Sequence, residues 1–567
     1  MKEGAYILNI VEQVVKDLHI LLEDALESAR ADGKINYREI TPFVIEAPRE
    51  KTHGDFASNL ALLMAKETRK QPRQIAELIV EYLDQKNQWI EKIEIAGPGF
   101  INFYLKKTWL YLVLPAVLNM DEAYGTSEHG SGKKVQVEFV SANPTGLLHM
   151  GNARGAALGD SIANLLKASG YQVSREYYIN DAGNQIENLS KSLEVIYLQN
   201  FGIELEFPEN GYQGEDLKAT IQNFIVKYGG KYVDTSPELR REKLIEFALE
   251  EKLIHIKKIL AIFGVEYDTW FSEQSLHDSG AIETVIEELT EKGFVYEKEG
   301  ALWFKSTKFG DEKDEVLVRA NGLPTYFAAD IAYHLNKFQR GFEWLINVWG
   351  ADHHGHVNRM KGSMQALGYQ ADQLEIVIMQ LVRLFKGGEI VRMSKRTGQY
   401  ITLQELLEEV GADAARYFFV MRTPASHLDF DLDLAKSQSQ DNPVYYVQYA
   451  HARICSILRQ TEEVGITMAS VEKIDWQRLV EKEELDLINK IAYLPDTIIG
   501  AALALEPHRL TTYAHELAGS FHCFYTQCRV LNPDKELEQA RLALVDAVRI
   551  TLRNVLKIIG VKAPKKM

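Results

Sequence analysis

The residues with the clearest chemical potential lie where a predicted strand gives way to a predicted helix. Residues 135–139 alternate apolar and polar side chains, which indicates a strand, and residues 141–146 have the composition of a turn. A helical pattern begins at Gly151. His149 therefore stands at a helix N-terminus, where unpaired N–H groups and the helix dipole attract phosphate. The segment predicts a phosphate site, and the alternative is a histidine that only caps the helix.

A second group of polar residues lies far downstream. Residues 386–389 (Lys-Gly-Gly-Glu) predict a tight turn, and residues 392–396 (Arg-Met-Ser-Lys-Arg) predict a basic loop. Residues 402–405 have the pattern of a capping box that opens the next helix. Such a loop could bind a polyphosphate, and a solvated run of charges is the alternative.

These two groups need a scaffold that brings them together, and the pattern of elements predicts an α/β fold. Residues 173–179 predict a strand that completes a βαβ unit, which requires a parallel sheet. Residues 344–349 and 375–381 are apolar enough to be buried strands, and residues 217–263 predict a charged helical insertion. We therefore expect a Rossmann-like catalytic domain over residues 126–435.

The two flanking units have different patterns. Residues 1–125 mix helical periodicity, at 7–29 and 54–65, with a strand pattern at 101–105, and predict an α+β domain. Residues 436–567 are helical almost throughout and predict an all-α bundle.

Composition narrows the environment in which the chain works. The 567 residues are 46% hydrophobic and 25% charged, which is ordinary for globular domains. No stretch of about 18 apolar residues and no basic-then-apolar leader occurs, so neither a membrane span nor a signal peptide is predicted. Three cysteines in so long a chain predict a reduced, cytoplasmic setting. The net charge of −16 disfavours non-specific nucleic-acid binding but is compatible with a local basic face.

The two polar groups together resemble the paired signatures of class I aminoacyl-tRNA synthetases. His149-Met150-Gly151-Asn152 is similar to His-Ile-Gly-His, and residues 392–396 are similar to Lys-Met-Ser-Lys-Ser. Longer stretches resemble the bacterial arginyl-tRNA synthetases, and they are 137–146, 176–185, 350–354 and 441–453. Residues 54–59 resemble that family's extra N-terminal domain, and the C-terminal helices resemble its anticodon-binding bundle.

The resemblance implies ATP-dependent attachment of L-arginine to tRNA(Arg) through arginyl-adenylate, with release of AMP and pyrophosphate. It implies that His149 and Lys395 are the catalytic residues at the phosphates, supported by Asn152 and Ser394. It further implies Mg²⁺ that arrives with ATP, no metal caged by the protein, and a monomer. The implied ATP-binding residues are His149, Gly151, Asn152, Gly350, Asp352, His353, Met393, Ser394 and Lys395.

The resemblance also implies where arginine and tRNA bind. A guanidinium pairs with a carboxylate in a planar fork, so an acidic side chain is expected in the arginine pocket. The implied arginine-binding residues are Glu138, Asn143, Tyr326 and Asp330. Aromatic side chains can stack unpaired anticodon bases. The implied tRNA-binding residues are Asn59, at the tRNA elbow, and Tyr445, Tyr446, Tyr449 and Arg453, in the bundle.

Two positions depart from the family pattern. Asn152 replaces the second histidine of the first signature, so it keeps a hydrogen-bond donor but carries no charge. Arg392 replaces the first lysine of the second signature and keeps the charge with a different geometry.

Several alternatives stay open at this stage. Without the family match, Asp330 would be interpreted as a helix cap. The alternative for each bundle tyrosine is a core residue. The alternative for the histidines of 352–356 is a metal site, although adjacent residues rarely supply the convergent geometry that zinc needs. For the whole chain, the alternatives are a class I synthetase of another specificity, a nucleotidylyltransferase and a non-catalytic tRNA-binding paralogue.

Overall fold

The computed structural model describes residues 9–48, 50–83, 87–391 and 401–567. Its N-terminal elements are α1 (Ile10–Ala31), β1 (Ile45–Glu46), β2 (Phe56–Ser58), α2 (Leu60–Thr68), α3 (Pro72–Tyr82), β3 (Ile90–Ala96), β4 (Phe100–Leu105) and α4 (Val113–Met120). The four strands form an antiparallel sheet in the order β1-β2-β4-β3. Helices α1 to α3 pack on one another beside this sheet, which gives the predicted α+β unit.

One part of the N-terminal prediction was wrong. The helix predicted over residues 54–65 begins only at Leu60, because Phe56–Ser58 is a strand that pairs with β4. The reason is tertiary, since Phe56 and Ser58 are buried against the neighbouring strand. A short apolar run of this kind does not distinguish a strand from a helix by its periodicity.

The middle of the chain alternates strands and helices, as predicted. Its first elements are β5 (Lys134–Glu138), α5 (Met150–Ala168), β6 (Gln172–Ile179), α6 (Asn184–Gln199), α7 (Glu215–Tyr228), α8 (Pro237–Ile262), β7 (Thr269–Ser272), α9 (Gln274–Asp278) and α10 (Ala281–Glu291). The next are β8 (Val295–Lys298), β9 (Ala301–Phe304), β10 (Glu315–Val318), α11 (Tyr326–Gln339), β11 (Trp344–Gly350), α12 (Val357–Leu367) and β12 (Leu374–Met379). The last are β13 (Val382–Lys386), β14 (Glu389–Val391), α13 (Leu403–Val410), α14 (Ala412–Val420), β15 (Leu428–Asp431) and α15 (Leu432–Lys436).

Five of these strands form the central sheet, and all of its pairs are parallel. The strand order is β12-β11-β5-β6-β7. The chain passes from β5 to β6 on one side and reaches β11 on the other side only much later. The carboxyl ends of β5 and β11 therefore flank a topological switch point, where open α/β sheets bind ligands. The predicted parallel-sheet fold is confirmed.

Two smaller sheets accompany the central one, and the sequence pattern did not separate them. Strands β8 to β10 form an antiparallel sheet, and β13 pairs with β14 and β15. The predicted insertion forms α7 and α8, which pack with α6 around their own apolar cluster. A buried ion pair between Arg240 and Glu194 joins α8 to α6 with an N–O distance of 2.9 Å.

The C-terminal unit is a helical bundle, as predicted. Its helices are α16 (Pro443–Glu463), α17 (Lys482–Ala492), α18 (Leu494–Ala504), α19 (His508–Gln527) and α20 (Lys535–Ile558). Within the described residues, one stretch, Lys482–Ala504, is long and apolar enough to cross a membrane by length and composition. Its residues Leu487, Ile491 and Ile498 are buried, which identifies it as part of the bundle core.

A buried arginine joins the bundle to the central sheet. Arg416 of α14 pairs with Asp160 of α5 at 2.5 Å. The same guanidinium donates to the carbonyl oxygens of Ile559, after α20, and Phe263, after α8. One side chain therefore holds together α5, α14, the insertion and the end of the bundle.

Helix α5 lies unusually close to the loop after β5. Phe139 is 1% exposed and its ring stacks on Tyr267 at 4.7 Å. A Cβ at Gly159 would lie 2.1 Å from Cγ of Phe139, so neither group has room to move. This contact sets the distance between α5 and the chain that leaves β5.

We expect Gly159→Ala to lower the free energy of unfolding by about 1–3 kcal/mol, because overpacking strains a well-filled core. Gly500→Ala, in the middle of α18, is the matched control. A Cβ at Gly500 would lie 3.8 Å from its nearest neighbouring atom, which is ordinary van der Waals contact. Alanine at this position should therefore stabilise the helix by up to about 1 kcal/mol. Urea denaturation of both variants measures the difference, and equal effects at the two glycines would contradict the proposed close packing.

Candidate active site

The N-terminus of α5 presents His149 at the carboxyl edge of the central sheet. His149 is the N-cap of α5, and its Nδ1 accepts a hydrogen bond of 3.1 Å from the backbone N–H of Gly151. Because Nδ1 is the acceptor, the neutral ring carries its proton on Nε2, which is a donor. The histidine therefore caps the helix and also has an N–H group suited to a phosphate oxygen.

Gly151 and Asn152 hold the His149 ring in place. A Cβ at Gly151 would lie 3.1 Å from the ring, so a larger residue would displace the imidazole. Asn152 accepts a hydrogen bond of 3.0 Å from the backbone N–H of His149 through Oδ1, which completes a capping box. The amide nitrogen of Asn152 takes no part in this box and supplies the donors of the side chain.

The second signature lies outside the described residues. Met393, Ser394 and Lys395 all fall within residues 392–400. The chain before them forms the predicted tight turn, a hairpin between β13 and β14. Gly387 and Gly388 have φ angles of 62° and 79° in this turn, a conformation that favours glycine.

The chain that follows residue 400 is bonded to the start of α5. Thr402 forms an antiparallel bridge with His149, and the backbone N–H of Leu403 donates to the carbonyl of Leu148 at 2.8 Å. Thr402 and Glu405 form the predicted capping box of α13. Residues 401–405 are thus anchored directly beside the first signature.

Strand β11 brings a second loop to the same edge. Gly350 is the last residue of β11, and Asp352 and His353 follow in a 3-10 turn. Both side chains are exposed, and Nε2 of His353 lies 3.7 Å from Oδ2 of Asp352. Because β11 neighbours β5, this turn and His149 border the crevice at the switch point.

The histidines of this turn do not form a metal site. Within the described residues, no group of three or more His, Cys, Asp or Glu side chains is placed to hold a metal ion. The ring centroids of His353 and His356 lie 6.0 Å apart. Burial, with the neighbouring Arg359, lowers the pKa of His356.

Asp330 supplies an acidic side chain at this edge of the sheet. It lies inside α11, whose cap is Thr325, so the helix-cap alternative does not hold. In the described part of the chain, no lysine or arginine forms a salt bridge with its carboxylate. Burial, together with the charges of Glu138 and Glu273, raises the pKa of Asp330 to about 8. A bound guanidinium would supply the missing counter-charge.

Glu138 lies in the same pocket but is already paired. The fully buried Nζ of Lys337 lies 2.6 Å from Oε2 of Glu138 and also donates to Asn347 at 3.1 Å. Ser141 donates its hydroxyl to the other carboxylate oxygen at 2.9 Å. Lys337 therefore neutralises Glu138 and leaves Asp330 as an acid whose charge the protein does not balance.

Glu273 is a further acid of the pocket, which sequence reasoning missed. It is 3% exposed. Burial and the charge of Asp181 raise its pKa to about 7, although a hydrogen bond from Tyr178 acts in the opposite direction. Ser272 and Gln274 both donate to Asp181, so that carboxylate is satisfied. A signal was available, because Glu273 directly follows β7 at the carboxyl edge of the sheet.

Asn143 and Tyr326 lie at the mouth of the pocket. Asn143 is exposed and donates from Nδ2 to Gln185 at 2.7 Å. Tyr326 is 50% exposed, and its hydroxyl would lie 3.2 Å from a Cβ at Gly183. The start of α6, from its N-cap Gly183 to Gln185, therefore lies beside both side chains.

The tyrosines predicted to bind tRNA lie on one face of the bundle. The rings of Tyr445 and Tyr449 stack with centroids 6.1 Å apart, and Arg453 donates to the hydroxyl of Tyr449 at 3.2 Å. Tyr446 packs on His515 and His522 at 4.7 Å and 5.0 Å. Residues of α19 therefore extend this aromatic surface, a neighbour that the sequence alone does not indicate.

Asn59 is used within the N-terminal unit. Its Oδ1 accepts a hydrogen bond of 3.1 Å from the backbone N–H of Val44. This bond ties the start of α2 to the chain just before β1. The side-chain amide nitrogen of Asn59 takes no part in it.

Known proteins match the chain over its full length. The family model of the catalytic domain of class I tRNA synthetases (R) matches residues 113–421. The model of the arginyl tRNA synthetase N-terminal domain matches residues 16–105. The model of the DALR anticodon binding domain matches residues 447–567. The arginine–tRNA ligase of Moorella thermoacetica is 64% identical over 560 residues, which are 99% of this chain and 100% of that protein. The one from Heliobacterium modesticaldum is 60% identical over 564 residues, with 99% and 100% covered.

A solved structure, Thermus thermophilus arginyl-tRNA synthetase, has the same fold. Its TM-score to this chain is 0.73 at 22% sequence identity, and the match covers 97% of this chain and 100% of that one. At this identity the likeness supports the fold alone.

The acidic pocket predicts that arginine binds more tightly as the pH rises. Asp330 and Glu273 have raised pKa values of about 8 and about 7. They are therefore largely neutral at low pH and attract a guanidinium only once ionised. Calorimetric titration with arginine from about pH 6 to about pH 8.5 should show a falling Kd, and two buffers of different protonation enthalpy should reveal proton release near neutrality.

The variant Asp330→Asn should bind arginine more weakly, and its Kd should depend less on pH. A wild-type Kd that is constant over this range would contradict the role of these acids.

Proposed function

The chain belongs to the arginyl-tRNA synthetase family, and from this premise we propose how its residues divide the work of the enzyme. It is an arginine–tRNA ligase, which uses ATP to attach L-arginine to tRNA(Arg). High identity to ligases of this one specificity, over nearly the whole chain, favours this function over a synthetase of another specificity or a non-catalytic paralogue.

One observation supports the assignment of the active site above all others. The carboxyl group of Asp330 and the capped N-terminus of α5 lie at the same edge of one parallel sheet. An acidic pocket suits the guanidinium of arginine, and a helix N-terminus suits the phosphates of ATP. The two substrates can therefore bind side by side, with the arginine carboxylate toward the α-phosphate.

In the first step, an oxygen of the arginine carboxylate attacks the α-phosphorus of ATP, and the bond to the β-phosphate breaks. Such a transfer needs positioning and charge stabilisation rather than covalent help. Nε2–H of His149 donates to the transferring phosphate, and Lys395 neutralises the departing pyrophosphate. The amide of Asn152 and the hydroxyl of Ser394 support these two residues, with Gly151 and Met393 beside them.

The turn after β11 holds the nucleoside end of ATP. Gly350 brings the backbone close to the adenosine, and Asp352 and His353 contact it. Magnesium arrives bound to ATP, because Mg²⁺ retains several waters and binds through substrate phosphates. The protein therefore needs no metal cage of its own.

On the arginine side, the carboxylate of Asp330 pairs with the guanidinium. Tyr326 covers this pair, Asn143 binds the α-carbon end of the substrate, and Glu138 shapes the pocket through its ion pair with Lys337. In the second step, the 2′-hydroxyl of the terminal tRNA ribose attacks the adenylate carbonyl and expels AMP.

The tRNA spans the three predicted units. Residues 1–125 contact the elbow, with Asn59 among the contacts, residues 126–435 perform the chemistry, and residues 436–567 bind the anticodon. One chain carries every substrate surface, so we assign a monomer. We assign the cytoplasm, where the three cysteines Cys455, Cys523 and Cys528 stay free.

Replacement of His149 by asparagine tests the imidazole separately from the cap. Asparagine is among the best N-cap residues, so His149→Asn should keep α5 intact. The kcat of arginylation should nevertheless fall about 10²–10³-fold, because an asparagine that caps the helix through Oδ1 is shorter than histidine, and its amide does not reach the place where Nε2–H donates to the transferring phosphate.

The control for this prediction is Ser236→Ala. The side chain of Ser236 caps α8 by accepting a hydrogen bond from the backbone N–H of Leu239. Ser236→Ala therefore removes a helix cap that has no part in the proposed reaction. Steady-state charging of tRNA(Arg) and thermal melts should show lower stability with normal kcat. A kcat near the wild-type value in His149→Asn would defeat the assignment.

The aromatic face of the bundle predicts a defect confined to tRNA binding. Tyr449→Ala should raise the KM for tRNA about tenfold or more, since a stacked base contributes about 1–3 kcal/mol. Tyr449→Phe keeps the ring and should stay close to wild type. The KM values for arginine and ATP should not change in either variant. An equal defect in both would show that the hydroxyl, and not the ring, is the contact.

A further inference from the structure

Arg154 of α5 is a buried cation without an acidic partner. Its side chain is 0% exposed. Within the described residues it pairs with no carboxylate and donates instead to two carbonyl oxygens, that of Gln380 at 2.7 Å and that of Thr423 at 3.0 Å. Burial lowers the pKa of Arg154 to about 10. An unpaired buried charge is costly, so a position that retains one calls for an explanation.

The two carbonyls belong to chain ends that lie far apart in sequence. Gln380 follows β12 and leads into β13, whereas Thr423 follows α14 and leads into β15. β13 and β15 are parallel neighbours, with Val382 opposite Leu428. The guanidinium fork therefore binds the chain just before each of the two strands.

In the sequence, the second signature lies between Gln380 and Thr423. The hairpin of β13 and β14 precedes the signature, and α13 follows it. The backbone N–H of Gln380 donates to the carbonyl of Pro424 at 3.0 Å, so the two ends of the segment also bind each other. Arg154 lies five residues after His149 on the same helix, which corresponds to about 7.5 Å along its axis. The base of one signature segment is thus bonded to the helix that begins with the other.

We propose that Arg154 is a positioning residue, which fixes the base of the β13–β15 sheet relative to His149 so that the two halves of the ATP site keep their spacing. The inference rests on the proposed function. The bridge between His149 and Thr402 is a second tie between the same two parts of the chain. A guanidinium suits the task because its planar fork reaches two acceptors, which a lysine ammonium does not match.

Arg154→Lys tests the fork while it keeps the charge. The KM for ATP should rise between about tenfold and a hundredfold, with a fall in kcat, because small displacements of phosphate-binding groups are expensive. The Kd for arginine without ATP should stay within about twofold of wild type, because the acids of its pocket lie in β5, in α11 and after β7, apart from the two carbonyls that Arg154 binds. Arg154→Met is the second variant. It leaves the carbonyls of Gln380 and Thr423 without this donor but leaves no charge unpaired, so a thermal melt should show a folded protein, and the rise in KM should be the same.

Arg416→Lys is the matched control. Arg416 is 1% exposed and also bonds backbone carbonyls, but it joins α5 to the bundle through Asp160. Its replacement should lower the melting temperature while leaving the KM for ATP near wild type. Thermal melts and tRNA charging over a range of ATP concentrations give both quantities for all the variants.

The outcomes separate this inference from the function on which it rests. A wild-type protein that does not charge tRNA(Arg) would overturn the proposed function. A wild type that charges normally, with an unchanged KM for ATP in Arg154→Lys, would overturn the positioning role alone. A KM for ATP that rises in Arg154→Met but not in Arg154→Lys would also overturn the positioning role, because the charge of the side chain, and not its planar fork, would then be what matters. A similar rise in Arg416→Lys would reduce the effect to general loss of stability.

Discussion

The pocket must offer negative charge to a cationic substrate without carrying many unpaired buried charges while it is empty, and much of the surrounding structure follows from this constraint. A buried carboxylate without a partner is unfavourable, so the protein limits how many it exposes to the pocket. Lys337 neutralises Glu138, and Arg340 neutralises the fully buried Glu176 at 2.6 Å. The unbalanced charge is thereby restricted to Asp330 and Glu273, which burial keeps partly protonated until a cation enters.

The phosphate side of the site has the opposite sign. There the protein places a helix N-terminus, a histidine donor and the unpaired cation of Arg154 in one helix. The parallel sheet makes this separation possible, because the chain leaves β5 and β11 in different directions at the switch point. Acidic groups follow β7 and lie in α11, whereas the groups that we propose to bind phosphate lie at α5. Acidic groups therefore lie at the end of the site that we propose for arginine, and donor and basic groups lie at the end that we propose for ATP.

Local signals predicted the elements that carry the chemistry. Strand β6, helix α5, the glycine turn at 387–388 and the capping box at 402–405 follow from patterns within a few residues. The pairing of Lys337 with Glu138 joins positions 199 residues apart and has no such signal. Glu273 was missed for a related reason, since β7 is only four residues long. Long-range electrostatic partners depend on the packed sheet, and periodicity carries no information about them.

Asn152, where the chain departs from the family's signature, can be understood from the capping geometry. The position must accept a hydrogen bond from the backbone N–H of His149, and Oδ1 of Asn152 does so at 3.0 Å. It should also present a donor to the nucleotide, and the amide nitrogen of the same side chain is free of the capping box. A histidine supplies both functions through its two ring nitrogens, and asparagine supplies them through its oxygen and nitrogen. The substitution therefore removes a titratable charge but keeps the hydrogen-bond pattern. The positive charge at the proposed phosphate side then falls to Arg154 and the basic residues of the second signature, with His149 as a neutral donor.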